Sequence, residues 1–328
     1  MIRICILLTI LWGFASLPLW GQCCSGGVPI ASNLGLTAKP GGTLQLQATY
    51  DYNNLTDFFT GTEELDDDTR IRITHSWLLE ANYDFSSAFA INTLFSYVRQ
   101  ERRIKLQLGG IDETVNTGVG DAIILFKYNV FHKNPQSKTQ LTIGVGPKLP
   151  LGRIDFLDNN GILLPADLQP GTGAWDALFW TNFNQFDILR PTTLFTAIAS
   201  FRATSTALRN NEIQDYKFGN EFQIQAGISD RFLLGNKYSI DPSILFRFRT
   251  VEKDLIDGVA FESTGGTYFF WVPSISLNFS PTLSVRAFGN IPLYREVGGG
   301  QVTTSYKLGF SVYYSLNTRK NTFLNIPN

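Results

Sequence analysis

Cysteine and histidine are both scarce in this chain of 328 residues. The only cysteines are Cys5, Cys23 and Cys24, and the only histidines are His75 and His132. Three cysteines, two of them adjacent, cannot form a disulfide framework for a chain of this length. Two histidines exclude histidine-rich metal sites and leave few options for nucleophilic catalysis. Stability is therefore expected to come from backbone pairing.

Charged residues and long apolar runs are also limited. Charged residues form 17% of the chain, below the roughly 25% typical of soluble globular domains. The 27 basic and 28 acidic residues nearly balance, and no basic tract suggests a nucleic-acid partner. After the N-terminal region, no segment approaches the roughly 20 apolar residues of a spanning helix. Low charge without long apolar runs or helical periodicity favours an all-β membrane protein.

The N-terminal residues 1–22 have the layout of a secretory signal peptide. Arg3 precedes the apolar run Ile4–Trp20, as in the basic and apolar regions of such signals. A transmembrane helix is disfavoured because Pro18 interrupts a short run and no basic stop-transfer cluster follows. We expect cleavage near Gly21 or Gln22.

Cys23 and Cys24 would then begin the exported chain, in a segment spanning 23–41. Their thiols could stay idle or oxidise as a pair, bind a soft metal, or accept a lipid anchor. Lipidation is disfavoured because Gln22 or Cys23, rather than a small residue, precedes the modified position. The segment is too short and irregular for a domain, and we interpret it as a periplasmic segment or a small plug.

Period-2 alternation of apolar and polar residues recurs in segments long enough to cross the apolar band of an outer membrane. These segments predict a transmembrane antiparallel up-and-down β-barrel of about twelve strands over 42–316, followed by a C-terminal tail over 317–328. The strands are expected near 42–51, 73–84, 88–99, 117–130, 138–148, 173–184, 192–203, 216–227, 237–250, 267–279, 282–291 and 302–316.

The predicted connections alternate between long and short. The odd connections, such as 52–72 and 100–116, are long, whereas the even ones are short. Long outer loops, short periplasmic turns and an even strand count are typical of outer-membrane barrels. The chain is therefore expected in the outer membrane, with lipid as its surroundings and the barrel-assembly machinery as its partner during insertion.

Alternation also assigns side chains to the two faces of the wall, because neighbouring residues on a strand point in opposite directions. In the segment 216–227, for example, the inward set is Lys217, Glu221, Gln223 and Gln225, and the outward set is Phe218, Phe222, Ile224 and Ala226. A charge on the lipid face near the midplane costs several kcal/mol. The pattern thus predicts a polar interior.

The inward charged residues are the candidate site. Either they line a solvated pore with a mixed electrostatic field, or they form a salt-bridged interior that fills the barrel. The candidates are Asp51, Glu80, Asp121, Lys127, Lys148, Asp176, Arg202, Glu221, Asp241, Arg247, Arg249, Arg286 and Lys307.

No catalytic, metal-binding or cofactor-binding residues are predicted. The run Thr74-His75-Ser76-Trp77 invites comparison with membrane hydrolases, but adjacent residues point to opposite faces, so His75 cannot activate Ser76 within one strand. His132 is expected in a polar turn. The acidic segment 63–68 could bind a divalent cation but lacks the ligand spacing of an EF-hand loop. We therefore interpret the segment 63–68 as part of a solvated outer loop.

Three segments resemble an outer-membrane channel family named for the MetA pathway of phenol degradation. They are Thr117-Gly118-Val119-Gly120-Asp121, Gly146-Pro147-Lys148-Leu149-Pro150-Leu151-Gly152 and Gly171-Thr172-Gly173-Ala174-Trp175-Asp176. The resemblance implies a barrel related to the hydrophobic-compound channels of the fatty-acid transporter kind. Asp121, Lys148 and Asp176 would pair inside it.

Two functional hypotheses follow. The first is a passive channel for small molecules, with hydrophobic or aromatic compounds as candidate permeants. The second is a non-conducting structural or adhesion barrel whose outer loops bind partners. The placement of the two histidines gives a membrane-embedded hydrolase little support.

Overall fold

The computed structural model describes residues 35–106, 109–134, 137–158, 160–209 and 214–318. The predicted signal peptide, Cys23, Cys24 and the tail from residue 319 lie outside the described residues. No described helix is long and apolar enough to cross a membrane.

Strands dominate the described chain. Beside one short 3-10 turn at Ala166–Leu168, they are β1 (Thr43–Gly61), β2 (Glu63–Leu65), β3 (Arg70–Asp84), β4 (Phe89–Lys105), β5 (Ile111–Val119), β6 (Ala122–Asn129), β7 (Thr139–Leu149), β8 (Asp176–Phe186), β9 (Leu194–Ala203), β10 (Thr206–Arg209), β11 (Gln214–Lys217), β12 (Glu221–Ser229), β13 (Phe232–Leu234), β14 (Tyr238–Val251), β15 (Leu255–Ile256), β16 (Val259–Ala260), β17 (Gly266–Ser280) and β18 (Leu283–Asn317).

The wall is a closed antiparallel sheet in which β12 pairs with both β9 and β14, and β1 pairs with β18. β5 and β6 are consecutive partners of β4 and together form one wall segment. The long β18 forms two, because 283–297 pairs with β17 and the rest of it pairs with β1. Counted in this way, the described wall has twelve segments, which confirms the predicted barrel.

Two predicted loops are largely strand. β1 continues to Gly61 and β4 to Lys105, where the sequence analysis placed loops over 52–72 and 100–116. Pairing continues far beyond the alternating core, with Leu55 opposite Arg72 and Ile104 opposite Asp112. The loop prediction was wrong because paired backbone groups stay satisfied even where both faces of a strand are polar.

Large apolar side chains cover the outer surface of the barrel. Phe126 is 60% exposed, Val145 49% and Phe179 49%, at positions that alternate with buried residues. Phe218, predicted to face lipid, is instead buried in a loop cluster with Tyr216, because the wall strand begins only at Glu221. The band of exposed apolar residues is the surface expected to contact lipid.

The alternation had predicted a polar interior, but the interior is polar only in part. One buried apolar cluster brings together wall residues from four strands: Leu78, Leu94, Val98, Ile123, Leu125, Leu178 and Trp180. Leu125 is fully buried, whereas its neighbour Phe126 is exposed. The barrel therefore presents an apolar patch to its own interior beside the polar groups.

Candidate functional site

The three segments of the family resemblance meet at Lys148. Its ammonium Nζ lies 2.7 Å from Asp121 Oδ2 and 3.1 Å from Asp176 Oδ2, and all three side chains are almost completely buried. Nζ also donates to the carbonyl oxygen of Ala174 at 2.9 Å. The expected pairing of Asp121, Lys148 and Asp176 is thus confirmed. Burial keeps such pairs strong because water does not screen them.

The same cluster fixes the loop over 150–175 to the wall. Asp121 accepts hydrogen bonds from the backbone amides of Gly152 at 3.1 Å and Thr172 at 3.0 Å. Gly152 and Gly171 pack backbone against backbone, so closely that an added Cβ on either would meet the other within 2.4 Å. Glycine is required at this crossing because no side chain fits between the two ends of the loop.

The tip of this loop folds into the barrel rather than away from it. Asp167, in the 3-10 turn, accepts a hydrogen bond from Arg72 at 2.7 Å, and both side chains are more than nine-tenths buried. Asn116 donates its side-chain amide to the Leu168 carbonyl oxygen. The loop therefore lies across the opening at the end of the barrel that carries the long connections, here called the long-loop end.

A second layer of loops covers part of the same end. Tyr216 and Phe218 pack with Ala166 in one buried cluster, while β10, β11, β15 and β16 form a small separate sheet. Asp254 accepts hydrogen bonds from the Tyr216 hydroxyl at 2.5 Å and the Gly219 amide at 2.7 Å. Burial raises the pKa of the Asp254 carboxyl above its ordinary value.

Basic residues gather below these loops, on the interior faces of β9, β14 and β18, next to carboxylates on β1 and β12. Glu221 forms ion pairs with Arg202 at 3.3 Å and Arg249 at 3.1 Å. Lys307 lies 2.7 Å from Asp51. These are five of the predicted inward charges, and the structure brings them together with Arg247 and Arg286, which interact electrostatically with this group.

Arg247 and Arg286 have neutral partners instead of carboxylates. Arg247 donates two hydrogen bonds to the Gln225 side-chain oxygen, at 2.9 and 2.6 Å. Arg286 donates to the Ser274 hydroxyl oxygen at 3.1 Å. Within the described ranges neither guanidinium forms an ion pair. We name the seven residues Asp51, Arg202, Glu221, Arg247, Arg249, Arg286 and Lys307 the basic cluster.

The remaining candidates lie toward the opposite, short-turn end. Glu80 accepts a hydrogen bond from Asn92 at 2.8 Å. The Lys127 ammonium lies 4.4 Å from the ring centroid of Trp180 and 3.3 Å from the Leu36 carbonyl oxygen. Asp241 stands apart, in an ion pair with the half-exposed Arg231 at 2.6 Å.

The residues before β1 contact this group directly. Leu36 is buried, and Gln45 donates its side-chain amide to the Thr37 carbonyl oxygen at 2.9 Å. The Lys39 amide donates to Asp84 at 3.2 Å. These contacts place 36–39 against interior residues of the barrel, and residues 23–34 of the predicted segment or small plug lie outside the described residues.

His75 and Ser76 lie on opposite faces of β3. His75 Nδ1 lies 2.8 Å from the Tyr50 hydroxyl, among outer-surface aromatic rings that include Trp77. Ser76 is 1% exposed, on the interior face. His132 lies in a turn, with Nδ1 2.9 Å from the Asn129 carbonyl oxygen. The described residues contain no group of three His, Cys, Asp or Glu side chains arranged to hold a metal ion.

Several interior residues escaped the sequence analysis. Ile123 and Leu125 lie in the continuous apolar run 122–126, whose composition cannot show which face is inward. Arg72 and Asp167 fell inside predicted loops, where alternation assigns no face. Leu125 lies two positions before Lys127 on the same strand, so the inward position of Lys127 was the signal that could have placed Leu125 on the interior face.

Interior side chains of one half of the wall remain partly exposed. They include Thr196 on β9, Gln225 on β12, Ser243 on β14, Ser274 on β17 and Arg286 on β18. The interior positions of β3, β4 and β6 are mostly buried instead. A solvent-accessible stripe thus follows the wall from the short-turn end to the basic cluster.

Comparison with solved structures supports this architecture. The COG4313 outer membrane channel from Pseudomonas putida F1 matches with a TM-score of 0.64 and 14% identity, over 85% of this chain and 97% of that chain. At this identity the match shows the shared fold, that of an outer-membrane β-barrel.

Two further structures match with lower scores. The TodX deltaS2S3 mutant monoaromatic hydrocarbon channel has a TM-score of 0.43 and 12% identity, over 85% of this chain and 91% of that chain. A Pseudomonas aeruginosa FadL homologue has a TM-score of 0.43 and 9% identity, over 90% and 97%.

Comparison with curated proteins gives no match. A family model described as "Putative MetA-pathway of phenol degradation" matches residues 59–310, which include β3 to β17 and most of β18. The match covers all three converging segments and more than half of the chain. The chain therefore belongs to this family.

Proposed function

We propose that this protein is a passive outer-membrane channel for small molecules. The observation that carries the proposal is the solvent-accessible stripe of interior side chains, which runs from the short-turn end to the basic cluster. In a barrel whose interior is filled by side chains, the interior positions are buried. The partly exposed polar side chains of the stripe indicate instead that water enters this barrel. Permeants would move down their gradient along this stripe, and the described residues would perform no covalent chemistry.

Selection in this channel would come from shape and from wall chemistry. The loop over 150–175 narrows the long-loop end, and the basic cluster sets the local field next to it. Hydrophobic or aromatic compounds are the proposed permeants, because the ring of Phe288, which is only partly buried, adjoins Arg286 in the stripe and offers them an apolar surface. The family description, which refers to phenol degradation, agrees with this class of permeant.

Single-channel conductance of the refolded barrel in a planar bilayer tests the proposal. We expect steady conductance that changes when Arg247→Glu and Arg249→Glu are introduced together, because both arginines lie in the basic cluster. Arg103→Glu, at an exposed position in β4, is the matched control and should leave conductance nearly unchanged. Well-folded protein that never conducts would contradict the channel.

One observation favours the second hypothesis, a non-conducting barrel with partner-binding loops. The buried Arg72–Asp167 pair holds the loop over 150–175 across the barrel opening, as a closed structural barrel would require. In that case deleting the exposed hairpin formed by β15 and β16 would abolish binding to a partner surface while conductance stays absent in every variant.

A further inference from the structure

The basic cluster has more positive than negative groups. Five basic side chains, on β9, β14 and β18, face the two carboxylates of Asp51 and Glu221. Arg247 interacts with Asp51, Glu221, Arg249 and Arg286, and Lys307 interacts with Arg247 and Arg249. The group is therefore a single electrostatic unit with three uncompensated positive charges. Grouping like charges in the interior of a barrel is costly unless an anion offsets them.

Two of the guanidinium groups have spare capacity. Arg247 and Arg286 use neutral partners, Gln225 and Ser274, and an arginine carries five N–H donors in a fixed fork. That fork matches the two oxygens of a carboxylate, which accept parallel hydrogen bonds. The chemistry thus fits a carboxylate better than a spherical ion.

Asn290 provides an independent observation. Its side chain is 2% exposed, and both its amide nitrogen and its amide oxygen lack a hydrogen-bond partner among the described residues. The preceding residue, Gly289, runs beside the Lys307 backbone, so Asn290 lies next to Lys307 in the wall. An orphaned buried amide is costly, and its N–H donors are suited to the same anion.

Aromatic rings border the cluster. The Arg249 guanidinium carbon lies 5.6 Å from the Tyr268 ring centroid, and that of Arg286 lies 5.5 Å from the Phe288 centroid. Tyr268 and Phe270 stack with centroids 6.1 Å apart and belong to a buried apolar cluster with Val272 and Val297. An apolar surface thus adjoins the charged one, as needed for a ligand with an anionic head and an apolar body.

We infer that the basic cluster is a binding site for amphipathic organic carboxylates, which occupy it on their way through the barrel. The carboxylate binds to Arg247, Arg286 and Asn290, and the apolar body packs on Tyr268, Phe270 and Phe288. The inference deepens the proposed function and rests on it for the direction of transport, but binding itself does not require conduction.

Two measurements test the site, with benzoate as the probe. Equilibrium dialysis of the detergent-solubilised full chain measures benzoate binding, and planar bilayers under a salt gradient measure ion selectivity. We expect saturable binding and preference for anions over cations. Benzyl alcohol, which lacks the carboxylate, should not compete.

Variants locate the site. Arg247→Gln and Arg286→Gln should each raise the benzoate dissociation constant by about tenfold or more and reduce anion preference. Arg231→Gln, at the half-exposed pair with Asp241, is the control and should leave both unchanged. A heat-modifiable electrophoretic shift identical to that of the parent protein verifies that each variant is folded.

The outcomes separate this inference from the channel function. Conduction without benzoate binding, or with cation preference, overturns the carboxylate site and leaves the channel. Binding that the two arginine variants weaken, in protein that never conducts, supports the site and removes the channel. Benzoate binding that is unchanged in both arginine variants also overturns the site.

Discussion

The Lys148 ammonium lies 2.7 Å from Asp121 Oδ2, and both side chains are no more than 3% exposed. Asp121 also holds the amides of Gly152 and Thr172, so one carboxylate joins the wall to both ends of the loop over 150–175. The Lys148 cluster is therefore the point at which barrel stability and loop position depend on the same residues.

Replacing Lys148 with methionine should destabilise the barrel strongly. The change leaves Asp121 and Asp176 buried together without their cation, which costs about 3–5 kcal/mol for a buried pair. The measurement is the midpoint of unfolding in denaturant, with the electrophoretic shift as the readout of the folded fraction. Lys253→Met, at the exposed pair with Glu262, should change it little. A double variant Lys148→Met/Asp121→Asn should recover part of the loss, and a still lower midpoint would contradict this account.

Substituting Asp167 by asparagine should release the loop tip. Breaking a buried pair costs about 3–5 kcal/mol, enough to shift an equilibrium between held and released loop by about a hundredfold or more. We expect larger single-channel conductance and faster hydrogen exchange in the loop. Asp155→Asn, at an exposed position of the same loop, is the control. Unchanged conductance beside faster exchange would show that this loop does not limit permeation.

Alanine at Gly146 should prevent correct pairing of β6 with β7. A Cβ at this position would lie 1.8 Å from the Ile124 carbonyl oxygen, so the strands would have to separate. Refolding yield into detergent or liposomes is the measurement, and we expect it to fall severely. Gly289→Ala is the matched wall variant, because its added Cβ meets nothing closer than 3.8 Å. Equal yields for both variants would refute the close approach.

The loop layer around Asp254 should become less stable as the pH rises. Its carboxyl has a raised pKa in the folded protein, with burial as the main cause and nearby Asp167 adding to it, while Tyr216, Gly219 and Arg202 oppose it. The folded state therefore binds the proton more tightly than the unfolded state. The stabilisation is complete below the unfolded pKa and is lost as pH rises through the folded pKa.

Hydrogen exchange of residues 214–220, corrected for intrinsic rates, measures this effect. Protection should be higher in mild acid than at neutral pH in the parent protein, and Asp254→Asn should remove the difference. Asp215→Asn, at an exposed position of the same segment, should retain it. A pH dependence that survives in Asp254→Asn would assign it to another group.

The alternation of the sequence predicted the wall well because each pleated strand must put one face against lipid. Phe126 and Lys127 show why: opposite polarity on adjacent residues allows one orientation only. In the run from Ala122 to Phe126 both faces are apolar, so composition alone leaves the inward side open, and alternation from Lys127 assigns it. The rule fails where strands leave the apolar band, since β1 and β4 then continue without a lipid-facing pattern.

The sequence could predict which residues of the candidate site face inward, but not which of them lie together. Alternation along each strand identified Glu221, Arg247 and Lys307 as inward residues. Their assembly into one cluster depends on strand register around the barrel, which local sequence does not encode. The Arg72–Asp167 pair joins residues 95 positions apart through the path of a loop, and no periodic pattern marks it.

The first and last wall strands are partners, with Thr43 opposite Asn317 and the Thr318 amide donating to the Gly42 carbonyl oxygen at 2.7 Å. The seam of the barrel therefore joins residues at nearly the greatest separation along the described chain. Until that seam forms, two strand edges present unpaired backbone groups to their surroundings, and such edges template aggregation. Closure of the barrel therefore competes kinetically with edge-to-edge association between chains. The rate at which β18 pairs with β1 decides which of the two processes occurs first.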